Sequence, residues 1–289
     1  VKMKKRDWRK VNRKYIKQGE FLVNPSFLDS WVDEIKEMNK KKVGEPFHYP
    51  PSMIEFISYF HCYGFGYRQC EGILRGILKS QNEKLPVMSY SQISRRVNTF
   101  EVSFNRTKEE VVVGIDGTGE KVSNRGEWIR QKWGKRRDWI KVVIMGNDNG
   151  EIVDIRIGNS KLEERKAARG MLRKNPNIDK VLMDGLHDCK KTFNLCEDKN
   201  IETGIKIRKG SRTRSKGSPR RRREVKEYQS MEHKDWVNKK GYGDRWPSSE
   251  GIFSAKKRIF GEHVRATKKK NMYKEVFLKY WAYNQLQKV

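Results

Sequence analysis

Three acids stand out from a basic chain. Asp116 follows the apolar run "VVVGI", Asp184 follows "KVLM", and Glu250 follows "RWPSS". With a side-chain period of two, Val112, Gly114 and Asp116 share one face of a strand, and Val111, Val113 and Ile115 share the other. A carboxylate on an apolar strand is costly to bury unless it is paired or bound to a metal. Each acid has a plainer reading alone. Asp116 and Asp184 both precede Gly, as turn residues do, and Glu250 suits the start of a helix. Taken together, two Asp at the ends of buried strands plus a helical Glu can hold two divalent cations through oxygen. Two such ions stabilise the attacking and leaving oxygens of a phosphodiester displacement.

The charge of the chain agrees with that substrate. Its 289 residues carry 65 Lys+Arg against 36 Asp+Glu, a formal net charge of +29. Such an excess is normally neutralised by a polyanion, and nucleic acid is the expected partner. A membrane surface fits less well, because the basic residues are spread along the chain and not gathered beside an apolar helix. No run approaches the roughly 18 apolar residues of a membrane span. The opening stretch lacks the apolar core of a signal peptide. A cytoplasmic protein is therefore expected. Cys62, Cys70, Cys189 and Cys196 have no zinc-module spacing and are expected to be unbridged thiols. His187 and His233 are read as structural.

The elements that must position the acids follow from periodicity. Residues 1–50 are basic and aromatic, with weak periodicity, and suggest a helical arm. "PPSMIEFISYFHCYGF", "GYRQCEGILRGILKS" and "SYSQISRRVNTF" read as three helices. In the third, Ile93, Val97 and Phe100 are expected inward, with Arg95 and Arg96 outward. This fits a helix-turn-helix-like DNA-binding unit. From about residue 106 the order is a strand, a hairpin over "NDNG", a helix ending before Pro176, a strand, a helix, a strand and a final helix. Residues 208–223, "RKGSRTRSKGSPRRRR", cannot bury a core and read as a loop or disordered tongue. The expected division is 1–105, a basic arm and helical DNA-binding domain, and 106–289, a catalytic domain with a basic insertion around 208–245. On the helix after "RWPSS", Glu250, Ser254 and Lys257 share one face. Ile252, Ala255 and Ile259 are expected on the buried one. Trp128, Trp133 and Trp139 are read as packing residues, with stacking on an extruded base as the alternative.

At this point the chain resembles a known family. "RQCEG" and "YSQISRR", the two Asp strands, "YGDRWPSSEGIFSAKKRIFG" and "YWAYNQ" resemble segments of Asp-Asp-Glu insertion-sequence transposases, most closely the group of insertion sequence families four and five. The resemblance implies an RNase-H-like mixed sheet flanked by helices, preceded by a small all-α domain. It matches Asp116, Asp184 and Glu250 to the catalytic, metal-binding triad, and Tyr242, Arg245 and Lys257 to the DNA-contacting Tyr, Arg and Lys of the signature. Arg245 stands one residue further from the Glu than in the common pattern. His187 stands where Tyr is common, and Asp188 after it rivals Asp184. The implied cofactors are two magnesium or manganese ions. The implied reaction is cleavage at the terminal inverted repeats of a mobile element, then strand transfer into target DNA, by a homodimer or larger assembly. A structure-specific nuclease, or a non-catalytic DNA-binding protein derived from such an enzyme, would share these features.

Overall fold

A computed structural model describes residues 7–104, 109–122, 139–214 and 216–289. Trp128 and Trp133 lie outside them. The chain divides into two compact units: residues 1–102 with 281–289, and residues 103–280.

The first unit is helical. Helices α1 (Trp8–Val23) and α2 (Phe27–Asn39) are followed by α3 (Pro51–Tyr63), α4 (Tyr67–Ser80) and α5 (Tyr90–Thr99). Asp7 caps α1 by accepting from the Arg9 and Lys10 amides. Pro51 sits at the start of α3, where its missing N–H costs nothing, and Gly64 ends that helix at φ 117°. Ser89 caps α5 and Gln92 completes a capping box. Phe27, Met53, Phe56, Ile57, Leu74, Ile93 and Val97 form the apolar interior. The segment 81–89 between α4 and α5 is longer than the three- or four-residue turn of a helix-turn-helix. Phe100 is only half-buried. Of the paired arginines, Arg95 is exposed, whereas the Arg96 guanidinium lies 4.9 Å from the Tyr49 ring centre and is half-buried. Residues 8–39 are thus more regular than their periodicity suggests, because their two helices are polar on most sides.

The second unit is built on a six-stranded mixed sheet. Strands β1 (Val111–Val122), β2 (Trp139–Asn147) and β3 (Ile152–Gly158) run antiparallel in the order β3-β2-β1. After α6 (Glu164–Lys174), strand β4 (Ile178–Met183) pairs parallel with β1. After α7 (Lys190–Asp198), strand β5 (Glu202–Ile205) pairs parallel with β4. Helices α8 (Pro219–Gln229), α9 (His233–Lys240) and α10 (Gly251–Phe260) follow, then the short strand β6 (His263–Val264), which joins β1, and helix α11 (Lys269–Lys288). This order of antiparallel and parallel strands, flanked by helices, is the RNase-H-like arrangement.

One sheet face carries Val113, Ile115, Val143, Met145, Val181 and Met183. It buries Ala168, Met171 and Leu172 of α6 and Phe193 and Cys196 of α7. Each large side chain there contributes roughly 1.5–3 kcal/mol by burial. The predicted tongue proves partly helical. Pro219 starts α8, and Glu224 and Val225 are buried. Three of its arginines are neutralised by acids: Arg220 by Glu224, Arg221 by Asp188 and Arg223 by Glu197. Pairing, which composition does not reveal, converts a polyelectrolyte run into an ordered helix. The four cysteines form no disulfide, and Cys62, Cys70 and Cys196 are buried.

The helix after "RWPSS" also departs from expectation. Its buried stripe is Ile252, Phe253, Lys256 and Phe260, not Ala255 and Ile259. The Lys256 ammonium donates to Glu120 at 2.7 Å and to the Gly261 carbonyl at 3.3 Å. The Tyr280 hydroxyl donates to the same Glu120 oxygen at 2.8 Å. Burial pulls the Lys256 pKa down to about 8, against the pull of Glu120. A buried ion pair is hard to lose by halves. Lys256→Met should cost about 3–5 kcal/mol in urea denaturation, and Lys256→Met combined with Glu120→Gln should recover most of that loss.

Candidate active site

One face of β1 organises the site. Gly114, Asp116, Thr118 and Glu120 alternate along it. Each meets a residue of the segment 245–257 that lies across the sheet. Gly114 meets Ser248, Asp116 meets Arg245, Thr118 accepts from the Lys257 ammonium at 2.9 Å, and Glu120 accepts from Lys256. Gly114 and Gly146 are register partners on β1 and β2. A Cβ on Gly114 would collide with the Ser248 side chain, and one on Gly146 with the Ser248 carbonyl and Ile252. Two adjacent glycines therefore clear a patch on which the turn before α10 rests.

That turn, Trp246–Glu250, is a π-helical turn, in which the Gly251 amide donates to the Trp246 carbonyl. A π turn places residues five apart in register, where an α-helix aligns those four apart. The extra residue between Arg245 and Glu250 is taken up here. The Arg245 guanidinium donates to Glu250 and, at 3.0 Å, to Asp116. Ser248 and Ser249 hold the turn by donating to the Asp244 and Arg245 carbonyls, at 2.7 and 2.8 Å.

Asp184 joins from the neighbouring strand. Ile115 and Met183 are the last registered pair of the parallel strands, so Asp116 and Asp184 are the next residue on each. Asp184 closes its strand, as expected. Asp116 does not, because β1 continues to Val122 against β2. Asp116 instead lies where β4 stops, a position open on one side. Asp188 is differently placed. Its carboxylate accepts from Arg221 at 2.6 and 3.0 Å, from the Arg208 amide and from the Ser211 hydroxyl. The Asp188 side chain is 0% exposed, against 41% for Asp184, whose carboxylate accepts from the Leu186 amide at 3.0 Å.

The electrostatics reflect this crowding. Burial raises the Asp116 carboxyl above the usual range. The Gly117 amide and Arg245 oppose that rise, and Asp184 and Glu164 add to it. Burial likewise pushes the Tyr242 phenol up to about 12, with Arg245 opposing and Asp184, Asp116 and Glu250 reinforcing. Tyr242 is thus a protonated donor at neutral pH, with Arg245 5.7 Å from its ring centre. Sequence reasoning did not identify Glu164 or His187 as neighbours of the site. His187 is fully buried, with its Nε2 3.6 Å from Glu164 and 3.9 Å from Asp184. Glu164 also pairs with Lys141 at 3.1 Å and would meet any Cβ on Gly117. Its signal in the sequence is only that of an acid in a helix's first turn. Trp139 lies over Gly119, on the face of β1 opposite Asp116.

Among the described residues, no three acids, histidines or cysteines stand close enough to hold a metal ion as they are. Arg245 supplies the positive charge between Asp116 and Glu250. The donors at the site are nonetheless carboxylate oxygens gathered about a cation, and that chemistry fits a hard divalent ion. Asp116 holds its proton to higher pH folded than unfolded, so its contribution to stability falls as pH rises through the window above 3.8. Arg245→Met removes the nearest opposing charge. Carboxyl NMR titration should find Asp116 displaced further upward in that variant than in the parent.

Two family models match the chain, both described as a Transposase DDE domain. One covers residues 16–125 and the other residues 107–285. The second spans more than half of the chain and contains Asp116, Asp184 and Glu250, so the chain belongs to the DDE-domain transposases.

Proposed function

We propose that this transposase binds the terminal inverted repeats of a mobile element and carries out strand cleavage and strand transfer with Asp116, Asp184 and Glu250. The observation that supports this most directly is the convergence of the three acids about Tyr242 and Arg245. These acids would hold two divalent ions, magnesium or manganese. Such ions, when bound, activate water and stabilise charge on the attacking and leaving oxygens.

The remaining roles fall to the chain's own groups. Arg245 neutralises Asp116 and Glu250, and a guanidinium released from carboxylates presents a bidentate match to phosphate. Lys257 lies two residues along β1 from Asp116, through Thr118, and supplies a second cation for the DNA backbone. Tyr242 donates its phenolic proton as a hydrogen bond to a phosphate oxygen. Water attacks the phosphodiester at the element end, leaving a 5′-phosphate on one side and freeing a 3′-hydroxyl on the other; that hydroxyl then attacks a phosphodiester of the target DNA and displaces a 3′-hydroxyl of the target strand. Residues 1–105 would bind DNA, with Arg95 and Arg96 contributing, and residues 106–289 would carry out the chemistry. The basic insertion 208–245 belongs to the second part. Paired ends imply a homodimer or larger assembly. A nucleoid-associated place in a prokaryotic cytoplasm would suit a DNA substrate. Among the described residues, no helix is long and apolar enough to cross a membrane.

The test is an in vitro reaction with magnesium or manganese on DNA bearing the element's own ends. Glu250→Gln should lower cleavage and joining by at least about 10²-fold, the scale of removing one charge-stabilising group. DNA binding should persist. Cleavage without joining in the parent would instead identify a nuclease, and binding without chemistry would identify a non-catalytic DNA-binding protein.

A further inference from the structure

An open cleft of about 690 Å³ lies between the start of α4 and the exposed side of α5. Its lining is polar, aromatic and basic: Tyr67, Arg68, Tyr90, Ser91, Ser94 and Arg95. No acid lines it. The Glu71 carboxylate, three residues along α4 from Arg68, is already paired, accepting from the Tyr90 amide at 2.7 Å and from Arg75 at 2.7 Å. The first of those bonds ties the beginning of α5 to α4. The Tyr67 hydroxyl accepts from Asn98 at 3.0 Å, and the Tyr67 ring stacks on His61 at 4.4 Å. The walls are therefore fixed from behind. At the mouth, the Arg68 guanidinium lies 4.5 Å from the Tyr90 ring centre, and Tyr90 is 44% exposed. Stacking on an aromatic face orients a guanidinium and leaves its N–H edge free to donate.

We infer that this cleft is the surface through which the helical unit grips the phosphate backbone of DNA, with Arg68 and Arg95 as its two guanidiniums. The inference rests on the reading of this unit as the DNA-binding part and names the site of contact. Two guanidiniums and the hydroxyls of Ser91, which also bonds the Ser89 hydroxyl at 3.1 Å, and Ser94 line one cleft that has no acid among its walls, a donor set that suits a phosphodiester. The pair is drawn from two helices. Arg96, next to Arg95 in the chain, lies over the Tyr49 ring and outside this cleft.

The experiment is fluorescence anisotropy of the full chain on a labelled duplex over a range of KCl concentrations. Removing one cation that neutralises a phosphate should lower the slope of log affinity against log salt by about 0.9. Arg68→Ala and Arg95→Ala should each show that drop, and the double variant about twice as much. Lys79→Ala, an exposed cation at the far end of α4 outside the cleft, should show less. Thermal melting checks that each variant is folded. At constant ionic strength, millimolar inorganic phosphate should not displace the duplex; selective displacement from the parent would mean a small-anion pocket and would overturn the inference. So would an unchanged slope for Arg68→Ala, or an equal drop for Lys79→Ala. These readings need no chemistry. Altered slopes in a protein that never cuts element ends would retain the cleft and remove the cleavage reading, and the converse result would do the opposite.

Discussion

The second unit depends on one close approach between backbones. Where Gly114 and Gly146 face each other across β1 and β2, the sheet has no side chains on that side. The Ser248 turn lies directly on it. Side chains between a helix and a sheet normally hold the two well apart. Removing two of them lowers the start of α10 until a residue of the turn and a residue of the strand can share one guanidinium. The interactions further along β1, at Thr118 and Glu120, repeat that alignment at two-residue intervals. The strand sets the spacing and the helix is fitted to it.

Charge imposes the second constraint. Asp184 and Glu164 raise the cost of ionising Asp116 within a partly buried space. The fold answers with cations placed at the same depth: Arg245 between Asp116 and Glu250, Lys141 on Glu164, and Arg221 on Asp188. The large positive excess of the chain is thus not all directed outward. A part is used inside, on acids that strand ends and helix starts bring together.

Much of the architecture was legible in the residues. The alternation in "VVVGID", the "NDNG" hairpin, Pro176 as a helix stop and the Ser89 cap all act locally, and local signals survive in a sequence. What failed to show was pairing over long separations. The arginines of 220–223 looked like solvent-seeking charge, because Asp188 and Glu197 are far away in sequence. Nothing local marks Lys256 for burial, and Glu120, 136 residues earlier, is what allows it inside. The proximity of Glu164 to His187 and Asp116 was hidden for the same reason. Asp116 read as a strand end because Gly117 and Gly119 looked like punctuation. Both glycines instead make room on β1, one for the Glu164 carboxylate and one for the Trp139 ring.

The turn at Trp246–Glu250 also changes what counts as the same motif. An arginine and a glutamate can meet across a helical turn at a separation of four or, where the turn is wider, of five. Distance along the chain is then not the conserved quantity; angular position about the helix axis is. A gain or loss of one residue here is a switch between two helical pitches and not a break in the site. A gain of two would turn the acid away from the strand. Related chains are therefore better compared at this point by the rotation of their side chains than by a fixed count of residues.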